Sequence, residues 1–103
     1  KLRHRSRRAV AERALARGFD RHLTPTERPF LYLPFMHGET LADQERSVQL
    51  FERPGLEDSA RFAHHHRGLI VRFGRFPHRN AILGRDSTPE ETAYLNSPEA
   101  FHG

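Results

Sequence analysis

The sequence predicts an all-α domain of about six short helices packed as antiparallel hairpins. Three observations carry that prediction. Apolar residues recur at helical spacing in several segments, the start signal Thr-Pro-x-Glu occurs twice (24–27 and 88–91), and no stretch alternates as a half-buried strand does. With 103 residues the chain makes at most one small domain, and no linker, fixed-period repeat or low-complexity tract divides it.

The first eight residues, "KLRHRSRR", read as a basic, disordered arm (residues 1–8). A helical domain over residues 9–95 is expected to follow. It opens with "AVAERALAR" (9–17), rich in strong helix formers and stopped by Gly18. In "TPTE", Thr24 suits the N-cap, Pro25 the first turn and Glu27 the third position of a capping box. The helix that follows contains "PFLYLPFM", apolar on every side and therefore central, with Pro29 and Pro34 predicting a kink or a split.

Thr40 caps the third helix, with Asp43 at its third position. Leu41, Val48 and Phe51 form its expected apolar stripe, Gln44 falls inside that stripe, and Pro54-Gly55 ends the helix. A fourth helix is predicted over 58–73, buried through Phe62, Leu69, Ile70 and Phe73, with His66 inside its face and Gly74 as the stop. Pro77 then predicts a short helix over "PHRNAIL", closed by Gly84. Thr88, Pro89 and Glu91 start the last helix, which runs to Leu95, and residues 96–103 are expected to fray.

Composition narrows the function classes. There is no cysteine, which removes disulfides, thiolate metal sites and thiol nucleophiles and fits a reducing, cytoplasmic setting. The longest apolar run, 30–36, contains Pro34 and is far too short to span a bilayer, so no membrane contact is expected. The net charge of +4 suggests nucleic acid, but Lys1, Arg3, Arg5, Arg7 and Arg8 account for it. From residue 9 onward twelve arginines face thirteen acids, and the arm lacks aromatics on which bases could stack, so nucleic acid is not the expected partner.

Charge is distributed unevenly within the domain. Between Asp58 and Asp86 there is no acidic residue, yet six arginines and four histidines lie there. The nine residues "RFGRFPHRN" (72–80) hold Arg72, Arg75, His78, Arg79 and Asn80. Placed in the first turn of a helix opened by Pro77, cations meet the unfavourable end of the dipole, an arrangement that makes sense where an anion docks. Arginine's planar fork suits phosphate or carboxylate. The alternative is a structural ion-pair network tying Arg75 or Arg79 to Glu39, Asp43 or Glu45. Both readings predict that "ETLADQE" (39–45) faces "RFGRFPHRN".

Gln44, His66 and His37 join the candidates as polar groups beside apolar stripes. The run His64-His65-His66 is not a metal site, because consecutive helical positions point about 100° apart and no histidine has another four residues on. No metal and no cofactor is expected. Catalytic signatures are absent: there is no G-x-S-x-G, P-loop or H-E-x-x-H, and "HGE" (37–39) lacks the cysteines of a zinc deaminase. Catalytic residues stay unknown and enzyme status open.

"FLYLPFMHGETLADQERSVQLF" and "HRGLIVRFGRFPHRNAILGRDSTPEE" resemble the C-terminal half of the bacterial domain of unknown function 924, over Ala9 to Leu95. The resemblance implies a tetratricopeptide-like helical fold and supplies no activity. Its motif positions correspond to His37, Gln44, His66, Arg67, Arg72, Arg75, His78, Arg79 and Asn80. Two departures stand out, Gly38 where serine is usual and Gly68 where an acid is usual. Family members are nearly twice as long, with a second F-P-x-R-N-like motif in the other half, so the resemblance implies an incomplete domain whose exposed apolar face drives self-association.

The reading that follows is a domain binding a phosphate- or carboxylate-bearing small molecule or peptide group. Arg72, Arg75, His78, Arg79 and Asn80 hold it, Gln44 and Glu45 line the opposite wall, and His66, Arg67 and His37 flank the site. The alternative is a protein-protein interaction scaffold of stacked helices, in which the arginines knit the fold together.

Overall fold

A computed structural model describes residues 6–102 of the chain. Five α-helices follow in order: α1 (Arg7–Ala16), α2 (Arg28–Met36), α3 (Leu41–Phe51), α4 (Glu57–Phe73) and α5 (Pro89–Leu95). Two 3-10 turns, Phe19–His22 and Pro77–Arg79, interrupt them, and no strand occurs among the described residues. The fold is all-α, as the periodicity predicts. Each helix lies mainly against its neighbours in the chain, α1 on α2, α2 on α3 and α3 on α4, giving a slab of 44 × 41 × 19 Å.

Local chemistry sets most boundaries. Ser6 Oγ accepts from Ala9 N–H, so α1 starts at Arg7 and absorbs Arg7 and Arg8, which the sequence assigns to the arm; residues 1–5 of that arm lie outside the described residues. Both halves of the Thr24/Glu27 box form, yet they close a turn, and the regular helix begins at Arg28. Pro34 stands inside α2, which ends two residues later. Thr40 caps α3, and Thr88 with Glu91 makes a complete capping box on α5. Gly74 takes φ +75° after α4, a left-handed conformation that stops the helix at little cost only for glycine.

Burial corrects two stripes. On α3 the inward face runs through Asp43, Gln44, Ser47, Leu50 and Phe51, while Leu41 is half exposed. On α4 it runs through Ala63, His66, Leu69 and Ile70, and Phe62 is 53% exposed. The apolar core is consequently divided in two. Ala11, Tyr32, Phe35, Met36, Leu50, Phe51, Leu56 and Ala63 form one cluster, and Leu69, Ile70, Phe76 and Tyr94 the other. His66 stands between Ala63 and Leu69 on α4, and the buried Gln44 and Ser47 precede Leu50 on α3.

The expected "PHRNAIL" helix does not form. After the 3-10 turn at Pro77–Arg79 the chain makes hydrogen-bonded turns to Gly84. Two forces account for this. Asn80 is held from the side by Glu91, Ser87 and Arg85, and Ile82 and Leu83 meet no core, being 85% and 56% exposed. The segment after α5, expected to fray, turns back instead: Ser97 Oγ donates to Tyr94 O at 2.6 Å and Phe101 N–H donates to Tyr94 Oη at 2.8 Å.

Gly38 sits at the corner between α2 and α3, where a Cβ would come within 2.8 Å of Asp43 Cβ and Cγ and closer still to Oδ2. Asp43 is pinned there by Arg8. Gly38→Ala is expected to destabilise the fold by about 1–3 kcal/mol, read as a lower urea midpoint.

Candidate functional site

The arginine-rich segment resolves residue by residue. Arg75 donates to both Glu91 oxygens (2.9 and 2.8 Å) and to Asp86 O (2.7 Å). Glu91, 2% exposed, also accepts from Asn80 Nδ2 and from Thr88 N–H. Arg75 together with these donors outweighs burial and lowers the Glu91 carboxyl to about 2. Asn80 further donates to Ser87 and accepts from Arg85 Nε. Arg75 and Asn80 are therefore consumed inside the fold, on a carboxylate that the sequence reading treats only as a helix cap.

Arg85 makes the second lock. Its guanidinium reaches both Glu39 oxygens at 3.0 Å and the Phe76 carbonyl at 3.1 Å, and Phe76 N–H donates to Glu39 at 2.8 Å. Arg85 is the main cause holding the Glu39 carboxyl below its ordinary value. This contact sets only Glu39, the first residue of "ETLADQE", against "RFGRFPHRN"; Asp43 and Glu45 pair instead with Arg8 and Arg67, and among the described residues neither Arg75 nor Arg79 pairs with any of the three. Arg67 pairs with Glu45 at 2.7 Å on the surface. Arg72 is exposed and lies over the Phe73 ring at 4.6 Å.

Gln44 is fully buried and donates to Met36 O and Gly38 O, both at 2.8 Å, so it clamps the α2–α3 corner. Its Oε1 and the Ser47 Oγ have no hydrogen-bond partner among the described residues. The opposite wall expected from Gln44 and Glu45 therefore does not line a pocket with the arginines: one is a buried clamp and the other a surface ion pair.

What remains uncommitted is Arg79 with three imidazoles. Arg79 is half-buried on the Phe76 ring at 4.8 Å and makes no ion pair among the described residues. Beside it, His78 has a buried Nδ1 without a partner among the described residues. His37, at the end of α2, stands 6.3 Å from His66 between ring centroids. His66 donates from Nδ1 to Phe62 O at 2.8 Å, which leaves Nε2 as its acceptor. The Phe101 ring closes the group, edge-on to His66 at 4.7 Å and to His78 at 5.1 Å.

All three imidazoles are held toward their neutral forms. Burial is the largest cause in each, and it takes His66 to about 4. Arg79 adds to the lowering at His37 and His78, and Arg7 adds at His37. A pocket of about 190 Å³ opens between Leu33, Met36, His37, Phe62, His66 and Phe101. It is smaller than the roughly 300–1,000 Å³ of a drug-sized site, so it has room for one small group. Among the described residues no three His, Asp or Glu side chains are arranged to hold a metal ion.

Sequence reasoning missed Phe101, Tyr94 and the second role of Glu91. The first two lie in or beside the segment assigned to fraying. The third carries a visible signal: acids missing from 59–85 must come from flanking segments, and Glu91 follows directly.

The family model described as bacterial protein of unknown function (DUF924) matches residues 4–99. No curated protein matches the chain significantly. Among solved structures the chain is similar to a protein of unknown function, ATU0120 from Agrobacterium tumefaciens, at 43% sequence identity and a TM-score of 0.77. The match covers 87% of this chain and 51% of that one, so this chain spans about half the length of that structure.

Proposed function

This chain belongs to the DUF924 family of bacterial proteins, and on that footing we propose that it is an anion-binding helical domain. It takes a phosphate or carboxylate group at the corner formed by Arg79, His78 and His37, with His66 and Phe101 beneath. The observation that carries this reading is a half-buried guanidinium beside three imidazoles with no carboxylate paired to it among the described residues. Arg79 supplies permanent charge, and the His78 Nδ1 without a partner supplies a donor once protonated. A cytoplasmic setting, which the lack of cysteine fits, is part of the same reading.

Proton linkage gives the test its sign. An anion opposes the lowering at His37 and His78, so binding takes up protons and strengthens as pH falls toward the ordinary histidine value of about 6.5. Thermal melts with phosphate, acetate and nucleotides are expected to move upward, by the equivalent of about 2.7 kcal/mol at 100 times the dissociation constant. The shift should be larger at the lower pH and vanish in Arg79→Ala while Arg79→Lys keeps part of it. Equal shifts in native protein and Arg79→Ala, or none at either pH, would sink the reading.

A second reading, the interaction scaffold, is favoured by one observation: Arg75, Arg85 and Arg67 are all spent on internal carboxylates. On that reading the cluster is structural and the surface of the helix stack does the binding.

A further inference from the structure

The helices stack in chain order, which puts α1 against α2 and the first 3-10 turn, with Arg8 and Glu12 reaching α3. The surface these elements leave uncovered among the described residues is apolar. A groove of about 380 Å³ between α1 and the first 3-10 turn is floored by Val10, Ala14 and Phe19. A second, of about 250 Å³, lies between α1 and α2 over Val10, Phe30 and Pro34. They meet at Val10, and Val10, Phe19 and Phe30 are 49%, 52% and 74% exposed. Arg13, Arg17 and His22 rim the first groove. Neither Arg13 nor Arg17 makes an ion pair among the described residues.

The segment 82–90 carries the complement. Ile82 and Leu83 project from their turn at 85% and 56% exposure. Asp86 and Glu90 follow, both exposed, and neither carboxylate is in an ion pair among the described residues. Apolar contact flanked by cations on one surface thus matches apolar contact flanked by anions on the other.

We propose that the outer face of α1 docks the 82–90 segment of a second copy of this chain, head to tail. Because the two faces differ, the contact is heterologous, and assembly continues past the dimer unless the rotation closes a ring.

Light scattering on the eluting protein is expected to show mass rising with concentration, and the apparent dissociation constant should rise about tenfold on adding salt to about 0.5 M. Arg17→Glu alone and Asp86→Arg alone should each weaken association by about tenfold, since each sets like charges opposite one another. An equimolar mixture of the two should restore it, because each reversed face then meets the other reversed face. Ile82→Asp removes the apolar half of the same segment without touching Arg75, so it gives the same result if Asp86→Arg disturbs the fold. A monomer at every concentration overturns the proposal, as does association that neither reversal weakens or that mixing fails to restore.

Discussion

Glu91→Ala is expected to lower stability by about 3–5 kcal/mol, the range for removing one partner of a buried ion pair. The loss is large because one carboxylate serves three donors. Arg75, Asn80 Nδ2 and Thr88 N–H all end on it, and the side chain has almost no contact with water. For a domain whose total stability is of the order of 5–10 kcal/mol, such a variant is close to unfolded at room temperature. Urea unfolding measures it, and a variant as stable as the native chain would show that the pair is not what fixes α5. Acid has the same effect more gradually. With the folded value near 2 and the unfolded value near 4.3, the contribution is complete above about pH 4.5 and lost as pH falls toward 2. Glu91→Gln keeps the cap and part of the contact to Asn80 but not the charge, so it should fall between native and alanine and lack that acid slope.

Phe51→Ala should cost a similar amount, about 3–5 kcal/mol, for a different reason. Phe51 is fully buried and meets Tyr32 edge-on at 5.6 Å, in the middle of the larger cluster. Its removal leaves a cavity that neighbours fixed by hydrogen bonds cannot collapse into. Tyr32 donates to Asp20 Oδ2 at 2.7 Å, and Arg53 donates to the same oxygen at 2.8 Å. Burial pushes the Asp20 carboxyl up, but the Tyr32 hydroxyl and the Arg53 guanidinium outweigh it and hold it low. Phe62→Ala is the control. That ring is half in water, and its loss should move the urea midpoint by less than about 0.5 kcal/mol.

The contrast between Phe51 and Phe62 also marks what periodicity can and cannot reveal. Helix boundaries were legible at Thr40, Gly74 and Thr88, which act through bonds to residues three or four positions away. The rotation of each helix about its axis depends on which neighbour it meets. An apolar stripe leaves that open by one or two positions, as Leu41 and Phe62 demonstrate. The "PHRNAIL" segment failed because its start signal is real but its apolar residues have no partner. At the candidate site, charge counting correctly identified a segment whose arginines need outside acids, and it could not say which. Of its six arginines, Glu91, Glu39 and Glu45 took three and Asp58 a fourth; among the described residues Arg72 is left in solvent and Arg79 is left half-buried without a carboxylate.

The polar layer formed by His66, Gln44 and Ser47 has a mechanical consequence. Two oily bodies that cannot merge behave as separate cooperative units, joined across a plane of weaker cohesion. Acidification protonates an imidazole within that plane that prefers neutrality and, beyond it, the Glu91 carboxylate, which is lowered further than the Asp20 carboxyl on the Tyr32 side. Melting at low pH should therefore begin with release of the portion beyond α4, whose amides exchange with solvent ahead of those in α2, while the Tyr32 and Phe51 side remains folded.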